Sequence, residues 1–333
     1  MRKSFLTEAV KTIYFGGGTP GLLDKDDLDL LLKTLRDHFD ISKEAEITLE
    51  VNPDDVSGEK IMHWQQTGIN RISIGVQSFQ DKALEWMNRS HLAKLSTEAI
   101  QLLKSSGFDN INADIIFGIP VLDDAAFHED LEKLLTFDLP HISAYALTVE
   151  PKTPLEKLIR LKQSPQTDDE LQMRQFLYLI AALERKGYEQ YEISNFSKPG
   201  CRSRHNSSYW TGEKYLGLGP SAHSFDGKTK RSFNIANNEI YMREIMEGKL
   251  PAETEILSPT QQINEAIMIS LRRKEGLDLD LLEQKFGSEK TNMLKKHSTL
   301  YLQSGEMKQE GTKLVLTSSG KLRADGIAAD LFF

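Results

Sequence analysis

The 333-residue chain is 27% charged and 39% apolar with no low-complexity tract, enough core-forming material to exclude a disordered protein. A net charge of −8 excludes a partner held mainly by phosphate neutralisation, so nucleic acid is not an expected ligand. No apolar run approaches the roughly 18 residues of a membrane span and no secretory pattern opens the chain, so the expectation is a cytoplasmic protein without a transmembrane segment.

From Thr12 onward, short apolar runs alternate with longer amphipathic segments, which predicts parallel strands crossed by helices in an α/β fold. The strands fall at residues 12–15, 46–51, 71–75, 110–117 and 141–146. Only a helical stub marked by Leu6, Ala9 and Val10 precedes the first. In a β/α barrel this implies that one βα unit of about 30 residues is missing and that the 12–15 strand is left as an unpaired edge. The stretch 26–39 reads as a helix with Leu28, Leu31, Leu32 and Leu35 on one stripe.

Past Pro151 the alternation stops. A helix over 168–186 carries Met173, Phe176, Leu177, Ile180 and Leu183 at core spacing. Residues 194–225, dense in Gly, Ser, Asn and aromatics, read as a loop-rich binding surface. Beyond Leu257 the chain turns helical and closes with a hairpin near 307–317, a winged-helix-like order. DNA binding is disfavoured there, because residues 255–333 hold 11 Lys/Arg against 11 Asp/Glu. The expected division is a partial barrel over 1–150, an extension over 151–255 and a C-terminal domain over 256–333.

The sharpest local feature is Gly16-Gly17-Gly18-Thr19-Pro20, directly after the first strand, where the missing Cβ atoms let a ligand approach the backbone. Gly16, Gly18 and Gly21 fit the letter of the dinucleotide fingerprint, but the next helix opens only near Lys25, and no Gly-Lys-Ser/Thr follows to make a phosphate loop. Polar residues also gather at the other strand ends, where barrel sites form: Glu50 on the second, Gln77 after the third and Asp114 within the fourth. Arg89 is placed either to partner the Asp114 carboxylate or to clamp a carboxylate of the ligand.

GGGTP, LEVNP, RISIGVQSF, NRSH, NADIIFGIP and ISAYALTVEPKTP, in this order, resemble radical S-adenosylmethionine proteins of the oxygen-independent coproporphyrinogen oxidase group. The resemblance implies a partial (β/α)6-type barrel with its first βα unit missing, followed by a mainly helical, winged-helix-like C-terminal domain. It also implies an S-adenosylmethionine pocket in which Gly16, Gly17, Gly18 and Thr19 face the methionyl group and Glu50 the ribose hydroxyls. Gln77, Arg89, Asp114 and Ala146 would line the rest, and His223 falls where the family closes the pocket. Exposed backbone carbonyls suit an ammonium, a carboxylate suits a hydroxyl pair and Arg suits a carboxylate.

A second motif, His205-Asn206-Ser207-Ser208-Tyr209-Trp210, fits HNxxYW and resembles the HemW-type heme chaperones within that group. By that resemblance His205 holds heme, with Asn206, Tyr209 and Trp210 beside it, and an unidentified protein accepts the heme, transient contact with membrane-bound acceptors included. The chemistry agrees, since neutral imidazole is a standard axial ligand to heme iron and Tyr and Trp rings offer flat apolar faces to a porphyrin. Zinc is set aside, because Cys201 and His205 supply only two ligands.

The chain departs from the family at the CxxxCxxC that holds a [4Fe-4S] cluster. Cys201 is the only cysteine, so the cluster cysteines are absent, no residue is assigned a catalytic role, and reductive cleavage by this chain is not expected. Two alternatives stand beside the heme chaperone. One is a coproporphyrinogen-oxidising radical enzyme, against which HNxxYW argues; the other is a degenerate barrel that serves only as a binding module.

Overall fold

Strands with a period of two build the first half of the chain, and their two faces are chemically opposite. The structure is a computed structural model that describes residues 8–333. Five parallel strands follow in sequence and space: β1 (Val10–Phe15), β2 (Ile41–Val51), β3 (Arg71–Gln77), β4 (Ile111–Phe117) and β5 (His141–Ala146). Crossing them are α1 (Lys25–His38), α2 (Gly58–Thr67), α3 (Asp81–Trp86), α4 (Ala93–Ser105) and α5 (Asp124–Thr136). The sheet continues past the point where the sequence pattern fades. After α6 (Pro154–Arg160) and α7 (Asp169–Arg185), the strands β6 (Glu189–Glu192) and β7 (Asn195–Ser197) join antiparallel, with β7 against β5.

One face of the sheet carries Leu49, Ile72, Ile74, Val76, Ala113 and Ile142, all buried, and the helices close over it with residues such as Leu32, Ile61, Ile100 and Leu131. The other face is polar. Glu46, Thr48 and Glu50 alternate along β2, Arg71 and Ser73 along β3, Asn112 and Asp114 along β4, and His141 and Ser143 along β5. Register aligns them in rows: Thr48 opposite Arg71, Ser73 opposite Asn112, and Asp114 opposite Ser143. Because a one-residue slip would put the apolar set on the polar face, each register is strongly specified.

Helix starts follow their caps. Asp24 accepts from the Asp27 amide 2.9 Å away to open α1, and Asp168 does the same for α7 through the amides of Glu170 and Leu171. Two expected core positions on α7, Met173 and Leu177, are instead 43% and 38% exposed. That helix is apolar around most of its circumference, so periodicity could not pick out its buried face; Leu179 and Leu183 are the fully buried ones. Leu31 of α1 also faces outward. Of the expected N-terminal stub, Leu6 lies outside the described residues, whereas Val10 opens β1 rather than ending a helix.

Two compact units form, one over Val10–Ser203 and the other over Arg204–Phe333 together with Glu8 and Ala9. The segment expected to be loop-rich contains a helix, α8 (Arg204–Thr211), which is why the HNxxYW residues acquire helical spacing. Its Ser and Asn content mimics a loop, but Ser208 Oγ and Thr211 Oγ donate back to carbonyls of their own helix. Next come β8 (His223–Phe225), β9 (Lys230–Asn234), α9 (Asn238–Met246) and β10 (Ala252–Ile256), the strands forming an antiparallel sheet.

The C-terminal part has α10 (Pro259–Arg272), β11 (Leu277–Asp278), α11 (Leu279–Phe286), α12 (Ser288–Ser304), the hairpin β12 (Met307–Glu310) and β13 (Lys313–Leu316), then α13 (Ser318–Lys321) and α14 (Ala324–Asp330). Ser258 and Gln261 form a reciprocal capping box at the head of α10, with Pro259 in the first turn. Ile263, Ile267, Leu294, Leu314 and Ile327 make its buried centre. This is the winged-helix-like arrangement expected.

Candidate functional site

The glycine loop leaves β1 beside the end of β2. Tyr14 Oη donates to Glu50 Oε1 at 2.6 Å and the Gly17 amide donates to Glu50 Oε2 at 3.2 Å, so both carboxylate oxygens are oriented by β1 and its loop. Burial, then the Glu50 charge, holds the Tyr14 phenol well above its ordinary pKa, so it remains a donor. Gly17 and Gly18 have φ of 74° and 119°, which only glycine adopts readily. A Cβ on Gly16 would come within 2.5 Å of the Tyr14 ring and 2.9 Å of Glu50 Oε1, so a side chain there would break that contact. Thr19 then leads into a single 3₁₀ turn, Pro20–Leu22.

At the end of β3 the backbone bulges between Gly75 and Gln77, and Gln77 takes a left-handed φ of 66°. Glutamine pays for that conformation, an observed outlier of the kind that collects at functional sites. Arg89, between α3 and α4, donates to Asn52 Oδ1 at 2.9 Å. It does not bond Asp114, contrary to one of the two roles expected for it.

Asp114 is instead served by its own sheet face. Asn112 Nδ2 donates to Asp114 Oδ1 and to Ser73 Oγ, each at 2.8 Å, and Ser73 Oγ lies 3.3 Å from Asp114 Oδ2. On its other side Asn112 Oδ1 meets His141 Nδ1 at 2.6 Å and accepts from Ser143 Oγ at 3.1 Å. His141 Nε2 is 2.8 Å from Tyr191 Oη. Burial pushes the Asp114 carboxyl up to about 6, with the Glu50 charge adding to the rise and hydrogen bonds, Asn112 foremost, opposing it. Burial also takes His141 well below its ordinary value, so it stays neutral.

Gly16 to Thr19, Glu50, Gln77 and Ala146 therefore lie at or just past the C-terminal ends of β1, β2, β3 and β5, Asp114 sits in the middle of β4, and Ala146 is exposed. Tyr14, Ser73, Asn112, His141, Ser143 and Tyr191, which fix the orientation of this set, were not singled out from sequence. The signal was available, since most of them occupy the polar positions of strictly alternating strands.

In the second unit, His205 and Tyr209 share a face of α8, with Tyr209 Oη 3.2 Å from His205 Nε2 and the rings edge to face at 5.2 Å. Tyr209 meets Tyr215 at 4.7 Å, and Tyr215 meets Phe225 at 6.2 Å, so four rings form a row. The row is partly open: Tyr209 is 39% exposed and His205, Tyr215 and Phe225 are half-buried. Tyr215 and Phe225 extend the motif, and no spacing within HNxxYW could reveal them. Trp210 turns to another side of the helix, where the Arg272 guanidinium lies 5.7 Å over its ring and Arg273 donates to its carbonyl oxygen at 3.4 Å. Asn206 is half-buried on α8. His223, on β8, is exposed with its ring 5.8 Å from Phe233.

Cys201 is half-buried, and its thiol faces the Pro199 carbonyl at 3.7 Å. Among the described residues no group of three His, Cys, Asp or Glu side chains could hold a metal ion, and no helix is long and apolar enough to cross a membrane.

Residues 3–134 match the radical SAM superfamily model and residues 257–323 the HemN C-terminal domain model. The fold is that of coproporphyrinogen III oxidase (HemN) from Escherichia coli, a radical SAM enzyme, with a TM-score of 0.82 at 21% identity over 97% of this chain and 78% of that one. The fold class is thus a radical SAM partial barrel with a HemN-type C-terminal domain. The heme chaperone HemW of Bacillus subtilis is 32% identical over 94% of this chain and 83% of its own length. Those of Lactococcus lactis and Mycobacterium tuberculosis H37Rv are 35% and 33% identical, over 85% and 97% of this chain and 74% and 80% of theirs. The chain belongs to the HemW heme-chaperone family.

Proposed function

We propose that the chain binds heme on the α8 face, with His205 as the iron ligand, and passes it to an acceptor protein. The observation that carries this reading is the half-open row of His205, Tyr209, Tyr215 and Phe225, which offers an imidazole beside flat apolar surface. It agrees with what the relatives' name says of them. Asn206 follows His205 on the same helix, whereas Trp210, assigned to heme by the resemblance, faces another side of it. The test is a heme titration followed by absorbance: the chain develops a ligated-heme Soret band that His205→Ala loses, and equal binding by both would remove His205 from the role.

The barrel unit is proposed to hold S-adenosylmethionine, which the radical SAM family implies. The residues fit it. Gly17 and Gly18 expose main chain, Glu50 presents oriented acceptors for a hydroxyl pair, and Arg89 has further donors for a carboxylate. Glu50 and Asp114 give the polar face acidic character suited to a sulfonium cation. Gln77 and Ala146 complete the rim, while the assignment of His223 rests on the resemblance alone. Bound there, the cofactor supplies an activated sulfonium; the protein's part is to orient it. Calorimetry should show Glu50→Ala binding it about 10-fold more weakly, the effect of losing a hydrogen bond to a charged group. The [4Fe-4S] cluster belongs to the intact family only: Cys201 is the single cysteine among these 333 residues, so they do not supply the three thiolates that would hold it.

A further inference from the structure

His205 and Tyr209 are one helical turn apart on α8, and their polar tips meet, with Oη 3.2 Å from Nε2. Iron is bound through the lone pair of an unprotonated ring nitrogen, and Nε2 is the nitrogen at the ring tip, away from the backbone, where a porphyrin plane has room. In one tautomer that lone pair accepts the Tyr209 proton. In the other, Nε2 carries a proton of its own and donates it to Oη. Either way the contact must open before iron binds there.

Tyr209 is held in this position by packing. Its ring stands against Tyr215 at 69°, and Tyr215 is fixed to Phe225 by a reciprocal pair of backbone hydrogen bonds of 3.0 and 2.9 Å. The hydroxyl is therefore returned to Nε2 whenever the nitrogen is vacated. A second His–Tyr pair in the molecule, His141 and Tyr191, makes the same contact at 2.8 Å in a fully buried setting, where it only fixes structure. On α8 the pair is half-exposed, so an incoming ligand can reach and displace it.

We propose that Tyr209 is a built-in competitor for the iron-binding nitrogen of His205, one that lowers heme affinity and speeds release to the acceptor. This rests on the heme reading above. A carrier that gives up its cargo needs an exchangeable bond, and the Tyr209 hydroxyl donates its hydrogen bond to the Nε2 lone pair as the iron departs. The expected size is that of one neutral hydrogen bond, about 2–10-fold in heme dissociation.

The experiment loads the full chain with ferric heme and follows transfer to excess apomyoglobin by absorbance, for the parent chain, Tyr209→Phe and His205→Ala. Tyr209→Phe keeps the ring packed on Tyr215 and removes only the hydroxyl. Its heme should leave about 2–10-fold more slowly, with the ligated-iron spectrum unchanged in kind. Unchanged or faster release from Tyr209→Phe, with His205→Ala still deficient in heme, overturns this inference alone. So does a phenolate-to-iron charge-transfer band that vanishes in Tyr209→Phe, since Tyr209 would then be a ligand itself. Undiminished heme binding by His205→Ala overturns the underlying reading instead.

Discussion

The polar face of the seven-stranded sheet and the open face of α8 each pair a histidine with a tyrosine, and they put the pair to opposite use. His141 is 1% exposed and both ring nitrogens have partners, Asn112 at 2.6 Å and Tyr191 at 2.8 Å, inside a network that also orients Asp114. His205 is half-buried, and its contact with Tyr209 is longer, at 3.2 Å. Burial converts a hydrogen bond into a fixed structural element because an unpaired polar group has no water to turn to; exposure leaves the same bond exchangeable.

Substitution of the two tyrosines separates these settings. Tyr191→Phe, which strips a buried ring nitrogen of its partner, should lower unfolding stability by about 1–3 kcal/mol in urea titration. Equal stability of that variant and the parent chain would erase the distinction. A pH comparison sharpens it. Asp114 sits up at about 6 in the folded chain against an ordinary value of 3.8, so the folded state binds the extra proton between those limits. Ionising Asp114 thus opposes folding increasingly as pH rises from about 4 to about 6, and the opposition is complete above that. Asp114→Asn should therefore gain stability relative to the parent across this window and hold the gain at pH 7, in denaturation curves taken at each pH. A parallel pair of curves would mean that the fold does not raise the Asp114 carboxyl. The smallest effect belongs to α8: Tyr209→Phe should stay within about 0.5 kcal/mol of the parent in the same urea assay, as exposed substitutions generally do.

All five parallel strands could be read from sequence as short apolar runs between amphipathic segments, and α1 and α7 as the helices expected over 26–39 and 168–186, within a residue of where they lie. Glu50 and the glycine loop stood out for the same local reason. The network behind them did not. Ser73, Asn112 and His141 are 39 and 29 residues apart in the chain, and only the β3–β4–β5 register makes them neighbours. The helix under His205 was hidden by composition, since Asn206, Ser207 and Ser208 look like loop residues, although Ser208 Oγ and Thr211 Oγ1 donate back to carbonyls within α8. Charge complementarity could not choose between the two roles open to Arg89: its guanidinium donates to Asn52 and feels Asp114 only through its charge.

Gln77 sits at the end of β3 in a backbone conformation that glycine would occupy at no penalty, whereas glutamine gives up about 1 kcal/mol or more to be there. Selection for stability alone would favour glycine at that position. The presence of a long amide therefore marks the β3 terminus as a place where thermodynamic optimisation has been overruled. An engineered, more stable form of this protein should be improved elsewhere first.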